Sequence, residues 1–450
     1  MKNIHYNIYN FLKDIESNPN LSLISLTVAD AKNILFDFKK PPYKKDGMQL
    51  VFSITKSVTS LAIGMLYDEG LITLDEPIID YFKDELPATY DPKIKDITIR
   101  HLLTMTSGIT HENNIEMLKF DDYRTYFLSQ KVEYKPGTYY KYHSATSHML
   151  GAIVHKITKK TLKEYMDQKL FIPLGITNYH WADAKEGISF GGYGLSLNND
   201  ALIKIGQLLL NGGTYNGKRY ISKAYLNMAT KPESIKQDYV DNPNTKAIGY
   251  EYGFQFHISP NGSFRADGAF GQIIVIYNGL AIISTAQYTD YEFLYQKIYD
   301  HFSNIYEGNF DDEILNSYLK TLSFIQKSKP TIKLNQSFEL KGNPLKIKHV
   351  KFSDDYILLT YENGKTDEIY YNFNQDSYGE SYFAKDLYMI KQPHWVIPQV
   401  KKDELTLKIL YVETPFFAEY NFKFDGNNVI LNFKPSPNFL LNGFTVGSKR

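Results

Sequence analysis

At 450 residues the chain is longer than the roughly 250 to 300 residues that one hydrophobic core usually supports, so two domains are expected. Hydrophobic residues at 43% and charged residues at 22% describe a folded globular protein and exclude extensive disorder. Lys plus Arg equals Asp plus Glu at 50 each and cysteine is absent, which excludes a global field for nucleic acid or anionic membrane, disulfides, thiolate metal sites and a cysteine nucleophile.

The polar opening Met1-Lys2-Asn3-Ile4-His5-Tyr6 lacks the apolar segment of a secretory signal, and no apolar stretch of membrane length occurs, so a cytoplasmic location without membrane contact is expected. Residues 1–50 predict a short helix and then two strands, 21–29 and 32–38, turning at Asp30-Ala31. Residues 53–67 predict a helix, because Ile54, Val58, Leu61, Ala62, Met65 and Leu66 follow the helical period. Ser53 opens it, where unpaired backbone N–H groups and the positive end of the helix dipole favour developing negative charge.

Positions three apart share a helix face, so Lys56 comes within reach of the Ser53 hydroxyl. A serine needs a neighbouring base to attack at neutral pH, and lysine serves when desolvation or a second cation lets it lose its proton. The pair can therefore form an activated nucleophile. The same spacing recurs at Ser317-Tyr-Leu-Lys320, so spacing alone does not choose between the two and the surrounding sequence has to.

Residues 71–130 read as short helices and loops, 144–170 as a helix with Leu150, Ile153, Val154 and Ile157 in period, and 200–211 as a helix ended by Gly212-Gly213. Between residues 250 and 287 the pattern turns to β, with runs at 252–257, 271–277 and 280–286 separated by glycine-containing turns. Strands on both sides of a helical middle predict one sheet built from distant segments, an α+β fold. From about residue 330 short alternating runs and the turn signals Asp354-Asp355, Asn363-Gly364 and Asp425-Gly426 predict an all-β sandwich or barrel. The expected organisation is a first domain over residues 1–305, a linker over 306–332 and a β domain over 333–450. Tyr370, Tyr371, Phe416 and Phe417 are expected to form the core of that β domain.

Three further strings follow the Ser53 element in order: Arg100-His-Leu-Leu-Thr-Met-Thr-Ser-Gly108, Pro136-Gly-Thr-Tyr-Tyr-Lys-Tyr-His-Ser144 and Arg265-Ala-Asp-Gly-Ala-Phe-Gly-Gln272. With Asp68-Glu-Gly-Leu-Ile-Thr-Leu-Asp75, they make residues 20–300 resemble the serine β-lactamase and penicillin-binding-protein-like superfamily. The likeness is to its class C type branch of esterases, D-amino-acid peptidases and 6-aminohexanoate-dimer hydrolase-like amidases. The resemblance implies a β-lactamase-like antiparallel sheet flanked by helices with an all-helical subregion. It implies Ser53 as nucleophile, Lys56 as its partner and Tyr142, in Tyr142-His-Ser144, as the second base partner, with Ser144 bonding Lys56 and the leaving group. A lysine ammonium beside the phenol is expected to draw its pKa toward neutrality, so that it passes a proton between Ser53 and the leaving group.

The third element departs from that family's pattern. No Lys-Thr-Gly or His-x-Gly triplet stands in the strand over residues 263–272, which leaves its register open and Arg265 as the expected substitute cation. The second oxyanion N–H, beside that of Ser53, is expected near Gly268 or Ala269. No cofactor or metal is expected: phosphate-binding glycine loops are absent, His143 and His148 lack partners at ligand spacing, and His111-Glu112 lacks the second histidine of a zinc helix. The expected partner is a small-molecule ester or amide, not nucleic acid, and the expected function is a serine hydrolase working through an acyl-enzyme. The alternative is a catalytically idle binding or regulatory protein that keeps the fold.

Overall fold

Asp30 closes the first hairpin: its Oδ1 accepts the backbone N–H of Lys32 at 2.7 Å and of Asn33 at 2.6 Å. That turn joins β1 (Ser22–Ala29) to β2 (Ile34–Lys39) in a computed structural model that describes residues 3–325, 335–373, 377–385, 388–436 and 441–449. The chain divides into two compact units, one of Met1–Lys39 with Leu50–Tyr318 and the other of Lys40–Gln49 with Leu319–Arg450.

In the first unit, β1 and β2 join β3 (Ser234–Ile235), β4 (Glu251–Tyr252), β5 (His257–Ile258), β6 (Phe264–Gly268), β7 (Gln272–Tyr277) and β8 (Leu280–Tyr288) in one antiparallel sheet. The order across it is β2-β1-β8-β7-β6-β5-β4-β3. The chain's first strands thus pair with strands some 250 residues later, Ala29 opposite Ala281, as expected for a sheet made from distant segments. Every residue of β8 except the last is buried, because helices cover both faces. On one face α4 (Asn199–Leu210) lies so close that a Cβ on Gly206 would sit 3.2 Å from Ala281 Cβ and from Ile283 Cδ1. On the other, α1 (Ile4–Ser17) packs on α5 (Tyr291–Phe302), with the rings of Phe11 and Phe302 5.4 Å apart.

Two expectations need correction. Residues 252–257 are not one strand but a tight turn between β4 and β5, which brings Tyr252 opposite His257: Gly253 N–H donates to Phe256 O at 2.8 Å and Gln255 takes a positive φ of 63°. The alternating pattern misleads here because Phe254 and Phe256 are buried two positions apart, as they would be in a strand. The helix expected over 144–170 ends as α3 (Ser144–Thr158), where Lys159 adopts φ 59° as a left-handed cap.

The linker expected over residues 306–332 contains α6 (Asp312–Thr321), and its last part, residues 326–332, lies outside the described residues. Ser317 and Lys320 are both exposed on α6, whose buried residue is Leu315.

The second unit holds a four-stranded antiparallel sheet within residues 337–370 and a six-stranded one within 378–447, each in chain order. Their faces meet through aromatic rings, Phe338 and Phe352 of the first sheet standing 4.9 to 6.1 Å from Phe422 and Phe424 of the second. Tyr371 and Phe416 lie in this core, whereas Tyr370 is 49% exposed. The loop 40–49 belongs to this unit as well: Tyr43 packs against Phe324, and Gln49 Nε2 donates to Val412 O. Among the described residues no helix is long and apolar enough to cross a membrane.

Candidate active site

The helix that carries Ser53, α2 (Ile54–Asp68), is buried on every side from Ile54 to Leu66. A helix so enclosed must satisfy its polar side chains internally, and it does so with hydroxyls. Thr55 Oγ1 donates to Phe52 O at 2.6 Å, Ser57 Oγ to Gln255 O at 2.6 Å, and Thr59 Oγ1 to Gly191 O at 2.8 Å. These bonds tie the helix to the segments that build the site around its first turn. Ser53 occupies the N-cap position without using its side chain as a cap, so its hydroxyl stays free for chemistry. Phe52 before it has φ 47°, in the sparsely populated left-handed region, and packs its ring 5.2 Å from that of Phe270, itself at φ 67°.

Lys56 Nζ lies 3.1 Å from Ser53 Oγ, 3.3 Å from Ser144 Oγ and 2.7 Å from Gly192 O, and the side chain is 2% exposed. One geometry serves two protonation states. As an ammonium, Lys56 donates to all three oxygens; as a neutral amine it keeps two N–H bonds, to Ser144 and Gly192, and turns its lone pair to the Ser53 proton. Tyr142 closes the group, its phenol near enough to Ser53 for that hydroxyl to act on its pKa and its ring centroid 4.9 Å from Lys56 Nζ. Residues 53, 56, 142 and 144, chosen from two strings almost ninety positions apart, therefore meet at one point.

The expected lowering of the tyrosine is reversed. Burial pushes the Tyr142 phenol above its ordinary value, the Ser53 hydroxyl offsets only part of this, and the charges of Glu112 and Asp267 add to the rise. Tyr142 is a protonated phenol at neutral pH. Lys56 Nζ stands 4.9 Å from the centroid of the Tyr142 ring.

The third strand comes into register through Gly268. A Cβ there would stand 2.1 Å from Val51 O, so only glycine lets β6 run beside the segment that leads into Ser53. Tyr291 holds the end of the strand, donating its hydroxyl to Gly268 O at 2.7 Å and accepting Gly271 N–H at 3.1 Å. Gly268, Ala269 and Ser53 line one cavity of about 260 Å³ with Tyr142, Asp267 and His257.

Arg265 is not the cation of this cavity. It is fully buried behind the wall, its Nε 2.9 Å from Asp267 Oδ2, its Nη1 bonded to Ser259 Oγ and its guanidinium 4.2 Å over the Tyr295 ring. The lysine on the cavity wall is Lys236, which burial lowers to a pKa of about 7, with Arg265 adding to the shift and Asp267 opposing it. Burial holds His257 well below its usual range, helped by the charges of Lys236, Arg265 and Lys56, so it is neutral.

Sequence reasoning missed Lys236, His257, Asp267, Tyr291 and Glu112. Glu112 Oε1 accepts the Ser144 N–H at 2.7 Å, and His143 Nε2 lies 2.8 Å from His111 O, so the loop at 111–112 clamps the start of α3. His143 Nδ1 also accepts Thr146 N–H as the helix cap, and His148 pairs with Glu186 at 2.6 Å. Of the missed residues only Asp267 had a signal, its place in the Arg265–Gln272 string. Glu112→Ala is expected to lower kcat/KM about tenfold by loosening Ser144 and Tyr142, while Glu112→Gln, which keeps an acceptor oxygen, recovers most of the loss; steady-state kinetics of both variants check this.

A hydroxyl at the head of a buried helix, a lysine one turn on, a tyrosine from a second helix start and a glycine strand closing the pocket define the serine hydrolases of the β-lactamase-related superfamily. The chain belongs to that superfamily's Beta-lactamase family, whose model matches residues 26–292. It is similar to the lovastatin esterase of Penicillium rubens, 26% identical over 178 residues that make up 33% of this chain and 43% of that protein. It is also similar to Protein flp of Staphylococcus aureus strain N315, 28% identical over 141 residues, 28% of this chain and 27% of that one. The match thus spans less than half the length of either relative. Among solved structures, the octameric penicillin-binding protein homologue of Pyrococcus abyssi superposes with a TM-score of 0.52 at 18% identity, covering 99% of both chains. At that identity the likeness is one of fold.

Proposed function

We propose that this chain hydrolyses a small ester or amide through an acyl-enzyme on Ser53, with esters the better substrates. The observation that carries the proposal is that Ser53 and Tyr142 line one cavity while buried Lys56 reaches Ser53 Oγ from behind at 3.1 Å. Lys56 in its neutral form takes the Ser53 proton as Oγ bonds to the substrate carbonyl carbon. The oxyanion that forms is received by the backbone N–H groups of Ser53 and Ala269 at the head of α2. Tyr142, protonated and beside Ser53, passes its proton to the departing alcohol oxygen or amine nitrogen and takes one from Lys56. Water then enters over the same pair, loses a proton to it, and releases the acid and free Ser53. The resemblance to the lovastatin esterase supports the preference for esters.

The test is a p-nitrophenyl ester assay combined with fluorophosphonate labelling. Ser53→Ala is expected to abolish both labelling and turnover, whereas Ser317→Ala, on an exposed helix, leaves both unchanged. A wild-type chain that is folded yet neither labelled nor active would instead support the idle binding protein.

A further inference from the structure

A second cavity, of about 350 Å³, adjoins the one that contains Ser53, and the two share Tyr142, Lys236, Tyr239 and His257 as their common wall. The second lobe adds the rings of Tyr139 and Tyr140. Lys236 is 5% exposed. Its Nζ donates to Gly249 O at 3.2 Å and stands 5.3 Å from the centroid of the Tyr239 ring. Among the described residues no carboxylate lies within 4.0 Å ion-pair distance of it, and Asp267 is already held by Arg265. A buried ammonium with one carbonyl acceptor and no counter-ion is costly, and a carboxylate entering the shared wall would supply both the charge and the missing acceptors.

We propose that Lys236 is the residue through which the Ser53 site selects substrates carrying a carboxylate that reaches the second lobe of the cleft. The inference rests on the acyl-enzyme reading and names its substrate class. The lysine comes from the chain just after edge strand β3, not from β6. The charged and titratable groups that face it are Arg265 and Asp267 of β6, which offset each other, neutral His257 of β5, and the phenols of Tyr142, Tyr140 and Tyr239. Asp238 and Lys141 lie further out on the wall of the second lobe. Of these facing groups, Lys236 is the one whose charge changes across neutral pH. Its folded pKa is lowered to about 7, so the cation is present below that value and is lost as pH rises through it.

The experiment compares mono-p-nitrophenyl glutarate, which ends in a carboxylate, with its neutral methyl ester, as a ratio of kcat/KM values. In the wild type the ratio is expected to favour the anionic ester by about tenfold or more near pH 6 and to fall toward unity by about pH 8.5. In Lys236→Met it is expected to lie near one and to be flat with pH. A wild-type ratio at or below one, or the same ratio in Lys236→Met, overturns the proposal. Should that variant not fold, a wild-type ratio that is flat across the range overturns it equally. Absence of any turnover of either ester would instead bring down the acyl-enzyme reading, and this proposal with it.

Discussion

Lys56→Ala is expected to lower kcat/KM for an ester by about a thousandfold, the range in which general-base groups act, and Tyr142→Phe by about a hundredfold. The double variant should lose no more than the larger single loss by much, because both side chains serve one proton path from the same serine oxygen. Lys56 is bonded to Ser53, Ser144 and Gly192, so its removal strands acceptors that no neighbouring group replaces. That also predicts a stability loss of about 1–3 kcal/mol, which thermal unfolding measures separately from the kinetics. Tyr142→Phe removes only the hydroxyl and keeps the ring under Lys56, so its melting temperature should move far less. Multiplying losses, or an active Lys56→Ala, would show that the two groups do not share a path and that the base lies elsewhere.

Gly268→Val is expected to be nearly as damaging to activity although it deletes no polar group of the site. A Cβ at residue 268 meets Val51 O at 2.1 Å and Gln272 Cβ at 3.1 Å. The first of these is backbone, so relief requires moving either β6 or the Val51–Ser53 segment, and both carry a proposed oxyanion N–H. A displacement of about an ångström at such a site typically costs around a hundredfold in rate, and overpacking costs about 1–3 kcal/mol in stability. Gly342→Ala is the matched control: nothing lies within 4 Å of a Cβ there, and its activity and melting temperature should stay near wild type. Unchanged turnover in Gly268→Val would remove β6 from the catalytic cavity.

How much of this was readable beforehand depends on how local each cause is. The Ser53 helix, the first hairpin and the alternating strands after residue 330 follow from periodicity and turn residues that act over a few positions. The break of the helix at Lys159 and the turn at 253–256 were hidden, because apolar periodicity runs up to a left-handed cap without glycine and Phe254 and Phe256 are buried two apart as in a strand. The same holds for the loop 40–49, whose ring and backbone contacts are with residues almost three hundred positions away.

The functional residues divide along the same line. Ser53 and Lys56 are bound together by helix geometry, one turn apart on one face, and the strings around Tyr142, Ser144 and Gly268 carried the resemblance that picked them out of 37 tyrosines and 28 glycines. Position in sequence is enough when covalent spacing or a shared string fixes a side chain's role. Whether the phenol is charged, which cation faces the cavity, and why residue 268 has to be glycine were settled only by tertiary packing. Desolvation, Coulomb interaction and steric contact act between surfaces brought together from residues 51, 112, 142, 236, 257 and 267, and those depend on distances through space that no local pattern encodes.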